Sequence, residues 1–99
     1  MSALQHIPAS RQSEHDALVR LLMGYADPAD ADAPAIAEWI ARSAMEPEHL
    51  WRAMGVSSRA ELRALFERHF PALAAENTRD MRWKKFLYKR LCGWSGFEG

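Results

Sequence analysis

The sequence predicts an all-α fold: a compact bundle of four to five short helices that forms one domain over residues 1–99. Apolar residues recur at the three- and four-residue spacing of amphipathic helices along most of the chain. Valine, isoleucine and threonine, which favour strands, together occupy only six positions. Prolines, glycines and capping residues divide the chain into segments of helical length.

The first predicted helix opens at Ser13, because Asp16 three residues later completes a capping pair. The residues before it, 1–12, are predicted to form a flexible N-terminus. Gly24 is the expected terminator of this helix. The predicted buried stripe consists of Ala17, Leu18, Leu21, Leu22 and Tyr25.

The stretch ADPADADAP is typical of a loop, and Pro34 suits the first turn of a second helix, where a missing N–H costs nothing. The predicted inward residues of that helix are Ile36, Trp39, Ile40 and Ala44. Pro47 is placed in the same way near the start of the stretch EPEHLWRAMG. This stretch predicts a short helix that ends at Gly55. Its apolar residues are Leu50, Trp51 and Met54.

Ser58 and Glu61 form the S-x-x-E capping box of a third long helix. Its predicted stripe is Leu62, Leu65, Phe66, His69 and Phe70, after which Pro71 breaks the helix or starts a new turn. Asn77 or Thr78 is expected to cap the last helix. That helix should bury Trp83, Phe86, Leu87, Leu91 and Trp94, and residues 93–99 are predicted to form a flexible tail.

The overall charge argues against a nucleic-acid or membrane-surface binder, because 13 basic and 13 acidic residues cancel. One cysteine cannot form an internal disulfide, so a reducing compartment is expected. No apolar run approaches the roughly 18 residues of a membrane span, and no signal-peptide pattern opens the chain. We therefore expect a cytoplasmic protein.

The last predicted helix carries Arg82, Lys85 and Lys89 at positions i, i+3 and i+7, on the side opposite its aromatic residues. Several cations on one side attract an oxyanion or an acidic protein surface, so these residues are the candidate anion or partner face. The alternative is a solvated face of an amphipathic helix. The helical spacing of the aromatic residues indicates core packing rather than base stacking.

Metal-binding and catalytic motifs are absent from the sequence. No C-x-x-C, H-x-x-x-H or H-E-x-x-H pattern and no glycine-rich phosphate loop occurs. His49, His69 and Cys92 are weak metal candidates, and they would have to converge in space because a zinc or iron–sulfur site needs about four ligands. His69 lies on an apolar stripe, which is more typical of a partly buried structural histidine. We expect no catalytic residues, no enzyme activity and no cofactor held by this chain alone.

Two stretches show a more specific pattern. Residues 47–92 read PEHLWRAMGVSSRAELRALFERHFPALAAENTRDMRWKKFLYKRLC, and residues 23–44 read MGYADPADADAPAIAEWIARSA. The segments HLW, RHFP and NTRDMRWKKF resemble those of the NifQ family of nitrogen-fixation proteins. The resemblance covers roughly residues 20–92, and MRWKKF is its most diagnostic part.

The resemblance implies a role in supplying molybdenum for assembly of the nitrogenase iron–molybdenum cofactor. Members of the family carry a C-x4-C-x2-C-x5-C cluster that is implied to hold a molybdenum-containing iron–sulfur cluster. Cys92 matches the cysteine before that motif, and the residues after it, GWSGFEG, supply none of the four. We therefore expect the family scaffold without these ligands.

The expected function is an accessory one, in which the chain binds a partner or an oxyanion such as molybdate. The expected partners are cofactor-assembly proteins of nitrogenase or a second copy of the chain. Two alternatives stay open. One is a degenerate helical protein-interaction module unrelated to molybdenum. Its acidic residues within 14–48 and its basic residues within 79–90 favour self-association or an adaptor role. The other is a metal carrier that uses His49, His69 and Cys92.

Overall fold

The computed structural model describes residues 9–92, with side chains from residue 11 to residue 91. This part of the chain contains six helices and no strand, which confirms the all-α prediction. In chain order they are α1 (Ala9–Met23), α2 (Ala33–Ser43), α3 (Leu50–Met54), α4 (Arg59–His69), α5 (Pro71–Glu76) and α6 (Trp83–Cys92). The predictions for residues 1–8 and 93–99, including a buried Trp94, lie outside the described residues.

Helix α1 begins at Ala9, four residues before the expected start, so Ser13 lies inside the helix and does not cap it. Four of the five residues of its predicted stripe, Ala17, Leu18, Leu21 and Leu22, are buried. The fifth, Tyr25, lies two residues beyond the end of the helix and is partly buried against the core. His15 is also buried, and its two ring nitrogens lie 2.9 Å from carboxylate oxygens of Asp16 and Glu38. This side chain joins α1 to α2, and nothing in the apolar periodicity indicated it.

Helix α2 packs against α1 through small residues. Its buried residues are Ala33, Ala37, Ile40, Ala41 and Ser43, with Ala44 buried just after the helix. The prediction that Trp39 faces inward is wrong, because its side chain is 38% exposed. The alanine stripe lets the two helix backbones approach closely, and a tryptophan on that stripe would hold them apart.

The predicted ends of the central helices are correct. Gly55 terminates α3 in the left-handed conformation with φ 80°, which glycine adopts without steric cost. The backbone N–H of Glu61 donates to the Ser58 hydroxyl, which caps α4 as expected. The Glu61 carboxylate accepts from the backbone N–H of Ser57 rather than that of Ser58, so the return half of the capping box is shifted by one residue.

Pro71 starts a separate helix, the second of the two outcomes that the sequence left open. Phe70 lies between α4 and α5 with φ −138° and ψ 58°, which is outside the helical region. Its ring is fully buried, so the chain turns around an anchored side chain. This extra helix brings the number of helices to six, where four to five were expected.

Trp83, the first residue of α6, packs in the core against two phenylalanines. The Trp83 ring stacks on Phe66 with ring centroids 4.2 Å apart, and Phe86 meets it edge-on at 5.7 Å. Leu87 and Leu91 complete the buried face of α6, as predicted. These contacts hold α6 by its N-terminal end.

The turn before α6 is held by polar contacts. Asn77, predicted as a candidate cap of α6, instead donates to the Met81 carbonyl and accepts from the Met81 N–H, at 3.0 and 2.8 Å. Asp80 has a positive φ of 52°, and its carboxylate pairs with Arg59 and Arg63 of α4. This turn places Arg82 just before the helix.

None of the helices between residues 9 and 92 combines the length and the apolar character that a membrane crossing requires.

Candidate functional site

A cavity of about 670 Å³ lies between α3 and the first turn of α6. We call it the basic cavity. Its charged lining residues are the cations Arg52, Arg82, Lys84 and Lys85 and one carboxylate, that of Glu48. Pro47, His49 and Tyr88 complete the lining. The cavity therefore has a strong excess of positive charge in a chain whose formal net charge is zero.

Two of these cations are available to a ligand. Within the described part of the chain, no hydrogen-bond or ion-pair partner is present for Arg82 or Lys85. Arg52 is only loosely paired, with its Nε 3.8 Å from the Glu48 carboxylate. Lys84 donates to the carbonyl of Glu46, and burial together with the nearby Arg11 lowers its pKa. The N–H donors of Arg82 and Lys85 are therefore not occupied by any of the described residues.

Helix geometry adds to the positive potential of the basic cavity. The first hydrogen bond of α6 runs from the Phe86 N–H to the Arg82 carbonyl at 2.8 Å. The backbone N–H groups of residues 83–85 therefore have no acceptor inside the helix. The first turn contains no acidic residue, and basic side chains occupy the positive end of the helix dipole. This arrangement is unfavourable without a bound anion, and helix N-termini are ready anion sites.

A partly buried network supports one wall of the basic cavity. Arg11 of α1 pairs with Glu14, donates to the Met45 carbonyl at 2.9 Å and donates to the Tyr88 hydroxyl at 3.3 Å. Burial raises the pKa of Tyr88, so the phenol stays neutral near pH 7. Its oxygen accepts from Arg11, and its O–H can donate into the cavity.

The three residues of the predicted anion or partner face line two different cavities. Arg82 and Lys85 line the basic cavity, whereas Lys89 lines a separate cavity of about 560 Å³ beside Tyr25 and Arg90. Two further cations of the basic cavity were not predicted from the sequence. Arg52 comes from α3, and Lys84 projects from the helix between the predicted basic and buried positions. Helical periodicity on α6 alone carries no information about which other segment faces it.

The three weak metal candidates do not form a shared site in the described residues. His49 lines the basic cavity, whereas His69 Nδ1 lies 2.7 Å from Asp30 Oδ2. Cys92 ends α6, and its side chain is outside the described part. Among the side chains that the structure describes, no group of three His, Cys, Asp or Glu residues could hold a metal ion. The described side chains therefore supply no iron–sulfur or zinc site, and the Cys92 side chain lies outside them.

His69 instead anchors the Asp-rich loop, because Asp30 also accepts from the Asp32 N–H at 3.0 Å. The hydrogen bond from His69 lowers the pKa of Asp30. A carboxyl whose pKa is lowered on folding stabilises the fold above its unfolded pKa, and this contribution is lost as the pH falls through the folded pKa. We expect wild type to be more stable than Asp30→Asn above about pH 5, and we expect the difference to shrink as the pH falls below the ordinary aspartate pKa of about 3.9.

Urea unfolding at a series of pH values measures this difference. Asp27→Asn is the matched control from the same loop, because the Asp27 carboxylate accepts from the backbone N–H of Ala29 rather than from a histidine. A stability difference for Asp30→Asn that stays constant across this pH range would contradict the assigned role of the His69 contact.

Comparison with known proteins identifies the family. The sequence profile of the NifQ family matches residues 1–98. The chain is 42% identical over 95 residues to a protein named Protein NifQ homolog from Sinorhizobium fredii, which covers 95% of this chain and 41% of that protein. It is 40% identical over 86 residues to Protein NifQ of Azotobacter vinelandii, covering 87% of this chain and 44% of that protein.

Protein NifQ of Klebsiella pneumoniae is 38% identical over 89 residues, which cover 90% of this chain and 52% of that protein. The chain thus spans about half the length of the curated relatives it matches, or somewhat less. No solved structure matches the chain. The match of the profile over nearly all of its residues shows that this chain belongs to the NifQ family.

Proposed function

We propose that this chain is a non-catalytic accessory protein of nitrogen fixation, which contributes to molybdenum supply by binding molybdate in the basic cavity. Membership of the NifQ family supports the pathway. The observation that carries the binding site is the pair of cations without partners, Arg82 and Lys85, at the N-terminal end of α6. Cofactor-assembly proteins of nitrogenase are the proposed recipients.

The basic cavity suits a tetrahedral dianion. Arg82 presents a planar fork of N–H donors, and Lys85 presents a compact charge. The backbone N–H groups of the first turn of α6 supply further donors along the helix dipole. Arg52 approaches from α3, so the anion would be held between two helices. Because Arg82 and Lys85 are solvent-exposed, salt should screen the attraction and the affinity should be modest.

Molybdenum enters this proposal as cargo in the form of an oxyanion. The described residues supply no thiolate or carboxylate set that could hold a molybdenum–iron–sulfur cluster. Any cluster would need ligands outside the described side chains. The basic cavity is therefore proposed to act before cluster assembly, by collecting the oxyanion.

Calorimetric titration of the chain with molybdate, and with tungstate as a tetrahedral analogue, tests this proposal. We expect saturable binding at low ionic strength, with Kd rising about tenfold between 20 and 200 mM NaCl. Arg82→Ala should weaken binding about tenfold, the loss of one charge-assisted contact of roughly 1.5 kcal/mol. Arg68→Ala is the control, because Arg68 is an exposed cation on α4 away from the cavity.

Absence of saturable binding at low salt would reject molybdate collection. Equal weakening by Arg82→Ala and Arg68→Ala would reject the site, because the effect would then follow from net charge alone. Either result would turn attention to the first of the two alternatives that the sequence left open, a helical protein-interaction module unrelated to molybdenum.

A further inference from the structure

A second cavity of about 380 Å³ adjoins the basic cavity. The two share three lining residues, His49, Arg82 and Lys84. The remainder of the second lining is mostly apolar and consists of Leu50, Trp51, Leu62 and Trp83, with Arg59 at its edge. We call this space the apolar cavity. The two cavities together form one groove along the junction of α3 and α6, with a cationic part and an apolar part.

The indole of Trp83 contains an unsatisfied donor at this groove. Its ring is 2% exposed, and Nε1 has no hydrogen-bond acceptor among the described residues. A buried donor without an acceptor costs roughly 1–3 kcal/mol, and such groups in native proteins require an explanation. Stacking on Phe66 at 4.2 Å fixes the ring, so the indole cannot turn toward solvent without breaking the core.

We propose that the groove docks a short acidic peptide segment of a partner protein that carries one large apolar side chain. The apolar side chain would fill the apolar cavity and pack against the Trp83 ring, which forms part of its wall. Carboxylates of the same segment would contact Arg82 and Lys85 in the basic cavity. This inference goes beyond molybdate collection, and because it uses the same two cations, the peptide and the oxyanion should compete.

Three features favour a peptide over a second small anion. The combined groove is far larger than a tetrahedral oxyanion, and its apolar part offers an oxyanion no favourable contact. Arg59 is occupied, because its guanidinium donates to the Asp80 carboxylate and to the carbonyls of Asp80 and Met81. The wall of the apolar cavity includes Trp51 and Trp83, whose rings offer an aromatic surface to an apolar side chain of a peptide.

The test uses two synthetic peptides of equal charge, acetyl-EEGFEE-amide and acetyl-EEGGEE-amide, titrated into the 99-residue chain. We expect the first peptide to bind about tenfold tighter, because it alone can bury a large apolar side chain in the apolar cavity. Its binding should shift the ¹⁵N–¹H indole resonance of Trp83, because this residue lines the apolar cavity, with the resonance assigned by its loss in Trp83→Phe. Molybdate should displace the peptide.

Variants separate this inference from the proposed function. Lys85→Glu should weaken both ligands about tenfold. Trp51→Phe keeps an aromatic ring under the Arg52 guanidinium, which lies 5.6 Å from the Trp51 ring centroid, but removes part of the apolar wall. It should weaken only the peptide, by about fivefold, and change molybdate affinity by less than about twofold. Molybdate binding with no preference between the peptides, or with no indole shift, would overturn the docking inference and leave the proposed function intact. Preferential binding of the first peptide without molybdate binding would support the docking inference and reject the proposed function.

A second copy of the chain is the competing occupant. Sedimentation would then show a dimer that Lys85→Glu dissociates, and that result would overturn the assignment to a partner protein. A monomer at all tested concentrations, together with the peptide preference, would support it.

Discussion

Phe66→Ala is expected to lower the free energy of unfolding by about 3–5 kcal/mol, the usual loss for truncation of a buried phenylalanine. Phe66 is fully buried in the middle of α4 and contacts both Phe70 and Trp83. Truncation would leave a cavity and remove the aromatic stack, which adds roughly 0.5–1.5 kcal/mol to the area buried. Because a domain of this size has only about 5–15 kcal/mol of stability, the variant should be partly unfolded well below the wild-type midpoint.

Urea unfolding followed by tryptophan fluorescence measures this loss, and Trp39→Ala is the control. Trp39 is a larger aromatic residue but is 38% exposed on α2, so its truncation should change stability by less than about 1 kcal/mol. A similar loss in both variants would contradict the assignment of Phe66 rather than Trp39 to the core.

The same residue connects stability to the candidate site. Phe66 holds Trp83, and Trp83 is the first residue of α6, directly between Arg82 and Lys84. Loosening this stack should therefore disorder the first turn of α6 before it affects the far end of the helix. In the folded fraction of Phe66→Ala, we expect molybdate affinity to fall although no residue that lines the basic cavity has changed.

The fold class and most helix ends followed from local chemistry. The Ser58 cap, the Gly55 terminator and the buried face of α6 each depend on a few neighbouring residues, so a local pattern was sufficient. Trp39 was misplaced because hydrophobicity alone favours burial, whereas the packing of α2 on α1 selected the smaller alanines. The start of α1 was misplaced because a capping pair at Ser13 also fits the middle of a helix.

The candidate site could be predicted only in part, for a physical reason. Arg82 and Lys85 were identified because they lie on one side of one helix. Their grouping with Arg52 and Tyr88, and the separation of Lys89, depend on how α6 crosses α3. The contact between Arg11 and Tyr88 joins residues 77 positions apart. No periodicity within a single helix contains that information.

Lys85 and Lys89 permit a sharper test than any single substitution at the site, because they carry the same charge on the same helix at opposite ends. Lys85 lies in the first turn of α6 and Lys89 in the last. A carboxylate is favourable near the N-terminus of a helix and unfavourable near the C-terminus, by about 0.3–1 kcal/mol in each case. Both charge reversals also remove the same repulsion between the two lysines, so that contribution is shared.

We therefore expect Lys85→Glu to raise the midpoint of thermal unfolding relative to Lys89→Glu and to reduce molybdate affinity about tenfold or more. Lys89→Glu should be the less stable variant and should bind molybdate within about twofold of wild type, because Lys89 lies outside the basic cavity. Calorimetry supplies both quantities on the same samples at one ionic strength.

In Lys85→Glu, stability is expected to be higher than in Lys89→Glu, whereas molybdate affinity is expected to be lower. These opposite changes distinguish a binding site from a structural face. If Lys85 were present for stability, its reversal would weaken the fold, and any loss of binding would follow from unfolding. A variant that is more stable than its matched control while it loses its ligand has removed a group whose position at the helix N-terminus is unfavourable for stability and is explained by binding. If Lys85→Glu were instead the less stable variant, or if both variants lost molybdate equally, the first turn of α6 would not be the anion site.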